Sequence, residues 1–188
     1  MKTTLRHIAN IQTGIFAKPS SKGEIAYLQS KHFDETGQLQ SILHPDLKAD
    51  NITEKHLLRI GDVLFAAKGT KNFATLYESK NQLSVASTSF FVIRIKNEFT
   101  NKIFSEFLVC LLNHPLTQKF LKGKAIGSSI ASISKSVLED LEISIPEIKT
   151  QKAVLKISQL YNTEKKINQQ IQALREKQIQ QQIINAIK

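Results

Sequence analysis

Apolar residues recur at Ile157, Leu160, Ile167, Ile171 and Leu174, in alternating steps close to three and four, inside a 42-residue stretch after Pro146 that holds no Gly and no Pro. That spacing predicts one long helix carrying a seam. With a rise of about 1.5 Å per residue, the stretch from Thr150 to Lys188 would extend roughly 58 Å. That is wider than the globular part before it, so the stripe cannot be buried against its own domain alone and calls for a second helix, most simply an identical copy. Ile183 extends the set of expected dimerisation residues. Nine Gln in residues 150–188 suit a solvated helix face.

The patterning changes before Pro146. Leu5, Ile8 and Ile11 form an apolar segment that stops at Gly14, and Ile25–Leu28 reads as a short strand ahead of a turn at Asp34–Gly37. Leu58–Phe65 sets a Gly-Asp turn before an apolar run, and the Gly-containing segment Lys68–Asn72 follows, which predicts strand, loop, strand. Ser89–Ile95, β-branched and aromatic, gives the strongest strand signal. Helix is predicted over Ile103–Asn113 and Leu116–Leu121, with a break before Pro115. An irregular loop at Gly123–Ser129, a short helix near Ser136–Asp140 and a strand at Leu141–Ile145 complete the series. The division is a domain over residues 1–146 and a helix over residues 147–188.

Charge adds a preference for partners. The chain has 26 Lys+Arg against 16 Asp+Glu, with 7 basic and 2 acidic residues in 150–188 and 19 and 14 before it, so both parts carry the same excess. A formal net charge of +10, doubled in a dimer, favours a polyanion, DNA or RNA, with double-stranded DNA the expected partner. A membrane is disfavoured because no apolar run approaches a spanning length. The single cysteine, Cys110, lies in the apolar run Phe107–Leu112, where burial on a helix face is expected. One thiol forms no internal disulfide, and the first residues lack an apolar signal segment, so a reducing, cytoplasmic compartment is expected.

Motifs for small-molecule chemistry do not fit. Gly123–Ser129 has the wrong spacing for a phosphate-binding loop, and no Gly-x-Ser-x-Gly nucleophile elbow occurs. His7, His32, His44, His56 and His114 show no His-x3-His pair, so no metal site is expected. One catalytic alternative has a rationale: Asp140 with Glu147 and Lys149 reproduces the Asp…Glu-x-Lys spacing of Mg²⁺-dependent nucleases. Against it, Glu147 follows Pro146 at the start of the long helix, where an acidic residue already has a dipole explanation. A basic coiled-coil scaffold is the structural alternative.

Two loops concentrate residue types that reach phosphate oxygens and base edges without bulk. They supply the candidate DNA contacts Lys68, Thr70, Lys71 and Asn72 on one side, and Lys122, Lys124, Ser128, Ser129 and Ser132 on the other.

Taken in order, these pieces resemble the DNA-specificity subunit of type I restriction–modification systems, with one target-recognition domain and one conserved helix. The resemblance rests on Leu5–Gly14, on Ile25–Leu28, on Leu58–Gly69 with its Gly61-Asp62-Val63-Leu64 core, and on Leu141–Pro146 leading to Gln151. Glu147 and Thr150 stand where the family's exit usually has a second proline and a glutamate. The family's usual two domains and two helices are here one of each, so the chain resembles a half-subunit.

The resemblance implies a mixed α/β target-recognition domain followed by a coiled-coil helix, without catalytic residues. It implies a subunit that pairs with itself or with a second half-subunit and reads a bipartite palindrome of a few base pairs per half. It also implies docking to a modification methyltransferase subunit, with a restriction and translocase subunit as a further addition. The chain is expected to hold no cofactor: S-adenosylmethionine, ATP and Mg²⁺ belong to the partner subunits.

Overall fold

Strand β7 (Phe90–Ile95) lies inside a four-stranded antiparallel sheet of order β2-β7-β4-β5, formed with β2 (Ala9–Thr13), β4 (Val63–Ala66) and β5 (Ala74–Leu76). The computed structural model describes residues 1–20, 23–34, 37–40, 43–49, 52–68, 72–78, 83–125 and 132–187. These form two compact units, Met1–Ile148 and Lys149–Lys188.

Successive side chains of a strand point to opposite faces, and here both faces are covered. Val63 and Phe65 of β4 and Ile93 of β7 enter one core with Ile103, Phe107, Leu108, Leu112, Leu121 and Leu138. Leu64 and Ala66 of β4 and Phe90 and Val92 of β7 enter a second core with Leu28, Phe73 and Ala86. That is why these strands read as continuous apolar runs rather than alternating ones. Phe65 and Phe90 are fully buried, and each stabilises the fold by about 1.5–3 kcal/mol relative to an exposed ring.

Helices α2 (Ser105–Asn113) and α3 (Pro115–Gly123) cover the first face and are separated where the sequence predicts a break. Pro115 lacks the N–H that a first helical residue would leave unused, and the His114 side chain accepts a bond from Leu116 N at 3.3 Å. α2 buries Phe107, Leu108 and Leu112. Cys110, expected inside, is only half-buried, because it lies about 200° around the helix from Leu108.

The second face meets a parallel pair, β3 (Ala26–Leu28) with β6 (Ser84–Ala86), and Ile25, Tyr27, Leu47 and Val85 form a third cluster there. At the other edge, β1 (Lys2–Thr4) pairs antiparallel with β8 (Glu142–Ser144), joined by a bond from Ile145 N to Met1 O at 2.8 Å. Leu5, Ile8 and Ile11 do not continue one element: a single-turn helix α1 (Leu5–Ile8) hands over to β2. α4 (Lys135–Glu139) is capped by Ser134, whose hydroxyl accepts from Val137 N at 3.3 Å. The second unit belongs to helix α5 (Ile148–Ala186), 39 residues without interruption. Among the described residues no helix is long and apolar enough to cross a membrane.

Candidate nucleic-acid interface

Lys68 and Ser132, the described ends of the two segments singled out for DNA contact, meet in the fold. Lys68 leaves the end of β4 and forms an antiparallel bridge with Ser132, and Ile133 N donates to Ala67 O at 2.9 Å. Residues separated by more than sixty positions thus share one rim. On the other side of the first loop, Ala66 N donates to Phe73 O at 2.8 Å, and the Asn72 amide donates to Ala66 O at 2.9 Å. Asn72 therefore closes the loop base, and its Nδ2 is engaged with the protein backbone. Lys68 is exposed and Ser132 half-buried.

Lys122 and Lys124 are placed at the end of α3, Lys122 exposed within it and Lys124 just beyond. Lys124 N donates to Leu121 O at 3.1 Å and Ala125 N to Lys122 O at 3.2 Å, which fixes how the chain leaves the helix. Thr70, Lys71, Ser128 and Ser129 lie outside the described residues. Hydrogen-bonding backbone thus holds Lys68 beside Ser132 and fixes the chain at Lys122 and Lys124, and exposed cations anchored in this way are suited to holding phosphates.

The acidic candidates are placed differently. Asp140 accepts a hydrogen bond from Arg6, and both side chains are exposed. Glu147 immediately precedes α5, and Lys149 is in its first turn. Among the described residues no three His, Cys, Asp or Glu side chains gather to hold a metal ion.

On α5, Ile157, Leu160, Ile167, Ile171 and Leu174 are between 41% and 67% exposed. At 100° per residue they fall within an arc of about 100°. Ile183 does not share that arc: it lies about 180° around the helix from Leu174, with Ile179 about 140° away. A step of five residues from Leu174 to Ile179 shifts the apolar positions to the reverse side. The seam expected from sequence therefore ends at Leu174, and Ile183 belongs to a second, separate stripe.

Sequence reasoning passed over Leu116 and Phe120, exposed apolar residues four apart on α3 and close in sequence to Lys122 and Lys124. The signal was present in the segment His114–Ala125, which contains three lysines and no acidic residue.

The architecture is thus a mixed α/β domain with exposed lysines at Lys68, Lys122 and Lys124, followed by a long helix with an exposed seam. A family model described as the type I restriction modification DNA specificity domain matches residues 4–173, and the chain belongs to that family. The solved S subunit of a type I restriction–modification system from M. genitalium is similar over 87% of this chain and 39% of its own, at 14% identity and a TM-score of 0.57. The HsdS subunit from Thermoanaerobacter tengcongensis is similar over 87% of this chain and 37% of its own, at 16% identity and a TM-score of 0.62. A third structure, described as bearing on complex assembly and conformational transition of the type I R-M system, has a TM-score of 0.61 at 14% identity, covering 87% and 38%. The chain thus spans about two fifths of the length of the solved relatives it matches. A comparison with curated proteins returns no match.

Proposed function

We propose that this chain is the sequence-reading subunit of a type I restriction–modification complex, pairing with a second copy through α5 to read a bipartite palindrome. The exposed seam of α5 carries this reading. Five aliphatic residues left in water on one helix would form a patch that monomers rarely tolerate. The excess of lysine and arginine in both parts of the chain supports DNA as the polyanion that the pair would hold.

Antiparallel pairing gives the seam a self-consistent register. With the two-fold axis between Lys165 and Lys166, Ile157 lies level with the partner's Leu174 and Leu160 with the partner's Ile171, while Glu164 lies level with the partner's Ile167 at the centre. Apolar residues then meet at both ends of the seam, as an isologous interface requires. A parallel pair would set each residue against itself and would give two readers of the same orientation.

In this reading the chain does no chemistry. It recruits modification subunits that hold S-adenosylmethionine and methylate adenine, and a restriction and translocase subunit with ATP and Mg²⁺ joins as a further partner, all in the cytoplasm. The nuclease alternative built on Asp140, Glu147 and Lys149 would need those groups around one ion, and the engagement of Asp140 with Arg6 disfavours it.

The test is methylation mapping of host DNA with and without the gene. The expected result is one short motif at both half-sites, inverted, with an invariant spacer. Removing seven residues from α5 in both chains shortens each helix by roughly 10 Å and should change the spacer but not the half-site bases. Two different half-sites in the wild type would require a second, non-identical reader, and an unchanged spacer would exclude α5 as the element that sets the distance.

A further inference from the structure

We propose that helix α3 enters the DNA major groove, where Leu116 and Phe120 contact thymine methyl groups and Lys119, Lys122 and Lys124 hold the flanking phosphates. The inference rests on the reading of the domain as a DNA reader and names the element that does the reading.

Leu116 is 71% exposed and Phe120 48% exposed, although each would gain from moving its apolar surface out of water. Spaced four apart, they lie on one face with Lys119 beside them and Gly123 one turn further on. A Cβ added at Gly123 would meet nothing, so this face is open and its end allows close backbone approach. The opposite face is held firmly: Leu121 is fully buried, and the Gln118 amide donates to Leu112 O at 2.8 Å. A rigidly seated helix thus presents two apolar side chains and a set of cations.

The charge pattern selects the partner. From His114 to Ala125 there are three lysines and no carboxylate, which favours a polyanion over a neutral protein groove. Ala125, just past α3, packs against the core cluster that holds Ile133, the neighbour of Ser132, which bridges the exposed Lys68. Geometry selects the groove. A helix about 10–12 Å across fits the major groove, about 12 Å wide, and not the minor groove, about 6 Å wide. In the major groove the apolar feature on base edges is the thymine methyl, the natural partner of Leu and Phe side chains.

The experiment uses the full chain assembled with its modification subunit, on the half-sites defined by methylation mapping. Two changes are made separately and together: Leu116→Ala with Phe120→Ala in the protein, and dT→dU in the half-sites, which removes only the methyl. Each is expected to lower specific affinity roughly tenfold per contacted base pair, with non-specific affinity and the salt slope unchanged. The variant should be insensitive to dT→dU.

A variant that still senses the missing methyl overturns the proposal, as does wild-type affinity unaffected by dT→dU. A variant that no longer assembles with the modification subunit shows that this face docks protein instead. The dT→dU comparison on wild-type protein stands even if the variant folds poorly. Absence of any sequence-specific binding by the wild-type complex would instead bring down the underlying DNA-reader assignment.

Discussion

Arg94 grips Asp62 through two parallel bonds, Nε to Oδ1 at 2.7 Å and Nη2 to Oδ2 at 2.6 Å, and a further bond from Nη2 to Leu57 O at 3.1 Å completes the fork. Asp62 is 1% exposed and also accepts from Arg59 N at 2.8 Å, in a turn where Gly61 takes φ +88°. The bonds to Asp62 hold the Arg94 guanidinium above its ordinary range, more than offsetting its partial burial. The pair ties the start of β4 to the C-terminal end of β7. Asp62→Ala leaves the half-buried Arg94 without its partner, which is expected to cost about 1–3 kcal/mol in urea unfolding. A loss below about 1 kcal/mol would place the pair among solvent-screened surface contacts.

Gly14 offers a second stability test. Its N–H donates to Phe90 O at 3.0 Å, and an added Cβ would collide with the backbone oxygens of Ala86 and Ser87. Backbone cannot swing aside as a flexible side chain can. Gly14→Ala is therefore expected to destabilise by about 1–3 kcal/mol through forced displacement of strands. A Tm equal to that of the wild type would show that β6 yields freely.

Acid should weaken the first unit through His32. Its Nδ1 accepts from Gln29 N at 3.2 Å, and burial, with Lys31 adding to it and Asp46 opposing, lowers its pKa below the usual 6.5. The folded state thus favours the neutral ring. This contribution is fully present above pH about 6.5 and is lost as pH falls through the lower folded value. His32→Gln, which keeps a neutral side chain, should show a smaller fall in Tm between pH 7.5 and pH 5 than the wild type. Parallel curves would exclude His32 as the source.

The oligomer can be read by light scattering. The wild type is expected at about twice the chain mass of 21.2 kDa, and a Leu160→Asp, Ile167→Asp variant at the single mass. Ile183→Asp should remain dimeric, because that residue lies on the reverse side of α5. A wild-type monomer at micromolar concentration would reject the paired-helix reading, and monomerisation by Ile183→Asp alone would reject the register.

Lys68, Lys71, Lys122 and Lys124 should share the salt dependence of DNA binding. Each phosphate that is no longer neutralised makes the slope of log K against log salt shallower by about 0.9. Replacement of all four by Ala is expected to reduce affinity for all sequences alike. An unchanged slope in the assembled complex would move the phosphate-binding surface elsewhere.

Much of the architecture was written in local patterns. The run Ser89–Ile95 holds β7, Pro115 divides α2 from α3, and the absence of Gly and Pro after Pro146 lets α5 run for 39 residues. What stayed hidden depends on partners far along the chain. Lys2–Thr4 is polar in every position and becomes a strand only because β8 lies beside it. Ser84–Ala86 is too short to show a period and is defined by its parallel neighbour β3. The same holds at the candidate interface: the two loops were recognisable by composition, but the bridge from Lys68 to Ser132 is a tertiary event. The reverse-side position of Ile183 was legible in principle, since it follows from counting 100° steps beyond Leu174.

The pairing of β1 with β8 makes the domain a cassette. Its incoming and outgoing ends run side by side in opposite directions, so the path that enters at Lys2 leaves at Ser144, its neighbour across the ladder. A module with such a doorway can be lifted out of one polypeptide and spliced into another, or copied in tandem, without either graft having to cross the body of the fold.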